Sequence, residues 1–266
     1  MPDVGTSGGA VTGRESGGGS GASTAGGSGA VTPMEMLSRA VMRHVLIGPP
    51  LKLLTRLRVE GRENVPREGA LIVASNHLSF IDSIVIPLAC ARQVHFLGKA
   101  EYFQGRGLRG AAVRWFHSTG GTIPVDRADP RAAAGSLGLA EDVLRRGEAF
   151  GVYPEGTRSP DGRLHRGRTG VARMALSTGA TLLPCAVIGT DKVQPPGSNG
   201  FRPGKVTVRF GQPIDVAGLG ERYQKAALLR AVTDATMDAI AELSGQERSD
   251  QYASDVKAAM AAGSQD

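Results

Sequence analysis

The chain has 266 residues, with 31 Lys+Arg against 25 Asp+Glu, 38 Gly and 5% aromatics. The positive excess sits in residues 34–245, which carry 28 bases and 19 acids and so attract polyanions. Aromatics for stacking on bases are scarce and no basic recognition helix appears, which argues against nucleic acid and leaves an anionic membrane surface or phosphorylated substrates.

Residues 1–33 hold 11 Gly, 5 Ser and 4 Thr, too little apolar surface to offset ordering, and are expected to be a disordered Gly/Ser-rich tail. No basic start followed by an apolar block marks a signal peptide. From Met34 to Ile47 the pattern is helical, with Glu35, Arg39 and Arg43 on one side and Leu37, Val41 and Val45 on another. Gly48-Pro49-Pro50 is expected to stop it, and Leu51–Leu57 repeats the pattern in miniature around Lys52 and Arg56. Residues 34–57 thus read as two short basic amphipathic helices, as an interfacial anchor needs; a helical hairpin packed on the core shows the same period.

Residues 58–245 alternate strand and helix signals. The strands are Arg58–Gly61, Ala70–Ser75, Val94–Gly98, Thr122–Val125, Ala149–Tyr153, Thr181–Ile188 and Lys205–Phe210. Between and after them fall helices over Ser79–Ala91, Leu108–His117, Arg131–Arg146, Thr169–Thr178 and Tyr223–Leu243. Alternation of this kind predicts an α/β fold: a mixed, largely parallel sheet of about seven strands flanked by helices. Residues 246–266 read as a loosely attached polar end. Cys90 and Cys185 lack a partner at metal spacing and read as buried residues of a reducing compartment, and no apolar run reaches the roughly 18 residues of a membrane span.

In open sheets ligands gather beyond the carboxyl ends of strands, which singles out two loops. In Asn76-His77-Leu78-Ser79-Phe80-Ile81-Asp82 a histidine and an aspartate bracket a strand-to-helix turn, with Ser79 placed as N-cap and Asp82 closing a capping box. A carboxylate there can fix the imidazole's tautomer; the same spacing also serves a plain cap beside a loop histidine. In Tyr153-Pro154-Glu155-Gly156-Thr157-Arg158-Ser159, backbone N–H groups and a guanidinium can receive a phosphate, and Arg163, Arg166 and Arg168 follow. A charged surface turn has the same composition.

Together the loops resemble the glycerolipid acyltransferases, specifically the 1-acylglycerol-3-phosphate acyltransferase branch. Asn76 to Asp82 resembles the NHxSxxD block, and Tyr153 to Ser159 the FPEGTRS block with Tyr for Phe. Gly98 to Phe103 is similar to AKxELF, Gly121 to Arg127 to GxIFIDR, and Leu183 to Val187 to a VIPVAI strand, in the family's order across residues 55–215. The departures, Gly98, Tyr102 and Pro124, spare the ionisable groups and bear on acceptor shape.

The resemblance implies a glycerolipid acyltransferase-like fold and transfer of an acyl group from acyl-CoA or acyl-ACP to lysophosphatidic acid. On it, His77 is the general base and Asp82 its orienting carboxylate. Arg127 and Arg158 bind the acceptor phosphate with Gly156 and Thr157; Lys99, Asn76 and Ser79 join the substrate site; Glu155 holds an arginine or the loop. No metal or resident cofactor is implied, and the enzyme is expected at the inner face of the cell membrane, peripherally bound from the cytoplasm. Rival readings are the same fold acting on glycerol-3-phosphate or another lysophospholipid or glycolipid, a catalytically silent lipid-binding protein, and a thioesterase. Gly105 to Gly110 spells GxGxxG but does not directly follow a strand, no GxSxG elbow accompanies Ser79, and His95, His117 and His165 lack metal spacing.

Overall fold

A computed structural model describes residues 48–90, 92–99, 121–125, 132–195, 198 and 200–263, with 41, 45 and 107 as single positions. All but two positions of the helix expected over Met34–Ile47, the helix expected over Leu108–His117, the Gly/Ser-rich tail, most of the GxGxxG segment and Arg127 lie outside the described residues.

Seven strands form one sheet: β1 (Arg58–Glu60), β2 (Leu71–Ser75), β3 (Val94–Lys99), β4 (Thr122–Val125), β5 (Ala149–Val152), β6 (Thr181–Ile188) and β7 (Thr207–Phe210). Their order is β1-β7-β6-β2-β5-β3-β4. Every pairing is parallel except β6 with β7, so the mixed, largely parallel sheet expected from the alternation is present.

β2 is central and buried along its whole length, as a continuous apolar run in a doubly covered sheet requires. Its side chains alternate between two cores. Leu71 and Val73 join Val85, Ile86 and Ala89 of helix α2 (Asp82–Ala89) on one face. Ile72 and Ala74 join residues of α3 (Ala132–Arg145), α4 (Gly170–Thr178) and α7 (Lys225–Ser244) on the other. The remaining helices of the described residues are α1 (Gly48–Thr55), α5 (Thr190–Val193), α6 (Val216–Arg222) and α8 (Ala253–Gly263).

Pro184 lies within the interior strand β6, a position that normally demands an N–H. Its carbonyl accepts from Gly211 N at 2.9 Å, just past the end of β7. A strand residue's N–H and C=O point to the same side, so the missing donor faces that strand end and the ladder to β2 keeps its own bonds.

Gly48-Pro49-Pro50 lies within helix α1, which tolerates it because Pro in a first turn has no intrahelical N–H bond to lose. The stretch expected to be a loose polar end is tied down over residues 247–253. Leu164 N donates to Glu247 O and Ser249 N to Leu164 O, both at 2.9 Å, and Arg166 N donates to Gln251 O at 3.0 Å. Ala253, at the start of α8, is fully buried.

Candidate active site

Because β2 and β5 are parallel neighbours, the loops after them leave the same edge of the sheet side by side. They are tied directly: Ser159 N donates to His77 O at 2.8 Å, and His77 N donates to Glu155 Oε1 at 3.2 Å.

His77 Nδ1 lies 2.8 Å from Asp82 Oδ2, with the Asp82 side chain fully buried and that of His77 16% exposed. The same carboxylate oxygen accepts from Leu78 N at 2.7 Å and Ser79 N at 2.8 Å. Three donors therefore fix one oxygen, and the loop backbone holds the carboxylate in place whether or not the imidazole moves. With Nδ1–H donated to Asp82, the free lone pair is on Nε2, which has no partner among the described residues. The ring stacks on Tyr153 with centroids 3.8 Å apart and planes 7° apart, and Phe96 stacks behind at 5.4 Å. Tyr153 in turn shares a 2.8 Å hydrogen bond with Ser83 Oγ, and burial, with the nearby Asp82 charge, pushes its phenol well above its ordinary range. Position 153 was legible only as Tyr in place of Phe; that the ring is the plate behind the imidazole depends on the β2–β5 pairing.

The capping box forms by half. The Asp82 carboxylate bonds back to Ser79 N, but α2 starts at Asp82 with Ile81 as its N-cap, and the Ser79 hydroxyl donates to Gln194 Oε1 at 2.8 Å and Gln194 O at 3.1 Å. Asn76 is equally committed. Its Nδ2 donates to Val187 O and Gln246 Oε1, while its Oδ1 accepts from Val187 N and Ser75 Oγ. Both side chains are buried and brace the loop that carries His77, with the Asn76 amide engaged at both ends and the Ser79 hydroxyl proton donated.

Glu155 holds the loop through its backbone and forms no ion pair with a described arginine. Its Oε1 accepts from His77 N and its Oε2 from His165 N at 2.9 Å. Burial pushes its carboxyl up to about 7 against the pull of those two N–H groups, with Asp161 and Asp82 adding to the rise. Gly156 follows in the left-handed region at φ +77°, where a side chain would be strained, and it exposes the turn. Thr157 is half-buried. Arg158 is exposed and forms no ion pair with a described residue. Lys99 is the last residue of β3, and Arg127 falls two positions after β4 in the sequence.

His165 is the residue the sequence undervalued. It is fully buried, and its Nε2 lies 3.0 Å from Asp161 Oδ1. Burial raises the Asp161 carboxyl, but bonds from Arg163 N, His165 and Ser159 outweigh that and hold it below the ordinary range. Among the described residues no group of three His, Cys, Asp or Glu is placed to hold a metal.

A family model described as acyltransferase matches residues 56–188. The chain is 33% identical over 161 residues to a chloroplastic 1-acyl-sn-glycerol-3-phosphate acyltransferase of Arabidopsis thaliana, covering 60% of this chain but 44% of that protein. It is 30% identical over 195 residues to the 1-acyl-sn-glycerol-3-phosphate acyltransferase of Bacillus subtilis, covering 73% of this chain and 90% of that one. The crystal structure of the 1-acyl-sn-glycerophosphate (LPA) acyltransferase PlsC from Thermotoga maritima superimposes with a TM-score of 0.56 at 27% identity, over 79% of this chain and 78% of that one. The chain thus spans less than half the length of the Arabidopsis relative and nearly all of the bacterial one.

Proposed function

The chain belongs to the acyltransferase family, and on that premise we propose that it moves a fatty acyl group from an acyl thioester to the free hydroxyl of lysophosphatidic acid, giving phosphatidic acid for phospholipid synthesis. The observation that carries this reading is the His77–Asp82 pair, whose backbone is bonded to the turn that presents Arg158, an arginine with no ion pair to a described residue. Nε2 takes the proton of the acceptor hydroxyl as its oxygen attacks the thioester carbonyl. The C–S bond then breaks, and the departing thiolate recovers the proton from the imidazolium. Asp82 stabilises that imidazolium and keeps the tautomer fixed, while Tyr153 and Glu155 hold the ring and its backbone in position. A positioned base contributes about 10²–10⁴-fold, and alignment of two bound substrates adds to it.

The acceptor's phosphate is received by Arg158, Gly156 and Thr157, with Arg127 and Lys99 completing the charge. The donor is acyl-CoA or acyl-ACP, used as a co-substrate, and the step as written needs no resident cofactor. The acceptor is amphiphilic, which favours peripheral attachment at the inner face of the cell membrane. No helix among the described residues is long and apolar enough to cross a membrane. In α1, Leu51 packs on the core while Leu53 is 83% exposed beside the exposed Lys52 and Arg56. Each base near an anionic surface adds about 1 kcal/mol to such attachment.

The test is thiol release from long-chain acyl-CoA by the purified protein with lysophosphatidic acid, glycerol-3-phosphate or no acceptor. Release that needs lysophosphatidic acid is the expected result. Release with glycerol-3-phosphate alone moves the enzyme to the first acylation, release without acceptor makes it a thioesterase, and no release from either acyl-CoA or acyl-ACP contradicts the reading.

A further inference from the structure

Several arginines of the described fold meet a carboxylate, and others, among them two that follow the turn, do not. Arg145, Arg146, Arg209, Arg230 and Arg248 each meet a carboxylate, and so does Arg163, through Glu247. Arg166 and Arg168 do not: both are exposed, and neither forms an ion pair with a described residue. Their guanidinium carbons instead lie over one ring, that of Tyr252, at 5.5 Å and 4.9 Å from its centroid. An aromatic face attracts a guanidinium without neutralising it, so the two cations are fixed in place with their charge unspent.

Tyr252 reaches them because residues 247–251 run beside Leu164 and Arg166, joined by the backbone bonds described above. Ser254 Oγ adds a bond from Arg168 Nη2 at 3.0 Å. Arg168 also belongs to the wall of the active site. Its N donates to Pro154 O at 2.8 Å, and its Cδ and Nε lie 3.4 Å from where a Cβ on Gly156 would stand. Its side chain therefore runs along the bare face of the Gly156 turn, next to Glu155, which bonds His77 N.

We propose that Arg166 and Arg168, laid over Tyr252 by the C-terminal segment, form a second phosphate-binding point beside Arg158, which makes residues 246–263 part of the substrate site. This rests on the acyl-transfer reading for the identity of the ligand, a phosphate carried by a substrate. Two substrates offer that chemistry: the phosphomonoester of the acceptor, and the phosphates of a coenzyme A donor. Tyr252 is a positioning residue, and the arginines are the contacts.

The test uses the full chain and reads binding apart from turnover. Lysophosphatidic acid is titrated against the phosphate-free monoacylglycerol in neutral detergent, and coenzyme A against the phosphate-free pantetheine. Arg168→Ala should weaken binding of one phosphate-bearing ligand about tenfold or more and leave its phosphate-free counterpart unchanged. The affected pair identifies the source. Tyr252→Leu should weaken the same ligand about two- to fivefold, and Tyr252→Phe, which keeps the ring, should restore it. Unchanged binding in Arg168→Ala, or a parent protein that binds neither phosphate compound, overturns the proposal. A parent that binds through Arg168 yet turns nothing over leaves the site standing and removes the reaction. A parent that turns over while Arg168→Ala matches it in both titrations does the reverse.

Discussion

Among the described residues two histidine–aspartate pairs are joined through one glutamate, and their carboxylates take opposite ring nitrogens. In the first, Asp82 takes Nδ1 of His77, and Nε2 is left free at a partly exposed ring. In the second, Asp161 takes Nε2 of His165, and Nδ1 is buried with no hydrogen-bond partner. Distances of 2.8 Å and 3.0 Å barely separate them. What separates them is access. An imidazole can move a substrate proton only if the nitrogen opposite its carboxylate meets the substrate, so a short His–Asp distance is by itself no sign of catalysis. Glu155 bonds the backbone of both histidines, so the buried pair is tied to the loop that carries the open one.

The comparison breaks first at Asp82. Asp82→Asn should lower turnover about 10³-fold or more by releasing the tautomer and removing the charge that stabilises the imidazolium. The corresponding Asp161→Asn should leave turnover by the folded protein close to that of the parent. Steady-state rates on protein checked by circular dichroism measure this, and equal losses in the two variants would erase the distinction.

Glu155 sharpens it through pH. Its carboxyl stands near 7 in the fold against 4.5 for the free group, so the folded state binds the extra proton between those values. The resulting stability is complete below about pH 4.5 and is lost as pH rises through 7, roughly 3 kcal/mol in all. Glu155→Gln does not titrate and should remove that slope; urea midpoints at pH 5 and pH 8 read it. A slope the same as the parent's would show that Glu155 is not its source.

His165 gives the smallest effect and tests the bracing role. His165→Ala empties a fully buried site and should cost about 2 kcal/mol of stability, while the folded fraction keeps most of its turnover. Loss of turnover beyond that of folded protein would make the second pair a participant in the chemistry.

Local pattern carries much of the fold. Thr122–Val125 and Thr181–Ile188 fall where alternation and β-branched content place them. The His77–Asp82 pair is equally legible because a single strand-to-helix turn holds both partners. What was hidden is non-local. Glu155 meets backbone N–H groups 78 positions before it and 10 after it, and no side-chain pattern records a backbone donor. The attachment of residues 247–251 rests on backbone bonds to Leu164 and Arg166, while α8 itself has five alanines in eleven residues and buries only Ala253, which is why the segment read as a loose end. His165 and His77 are the same residue type with an aspartate nearby; only the packing of the loop decides which ring meets solvent.

The most direct measurement is lysophosphatidic acid-dependent thiol release by His77→Ala, set beside its thermal unfolding midpoint and those of the parent. The account predicts a fall in rate of at least about 10²-fold with the midpoint nearly unchanged, because the imidazole takes the proton and braces little of the core. A folded His77→Ala protein that keeps more than about a tenth of the parent rate would contradict the assignment of His77 as the base.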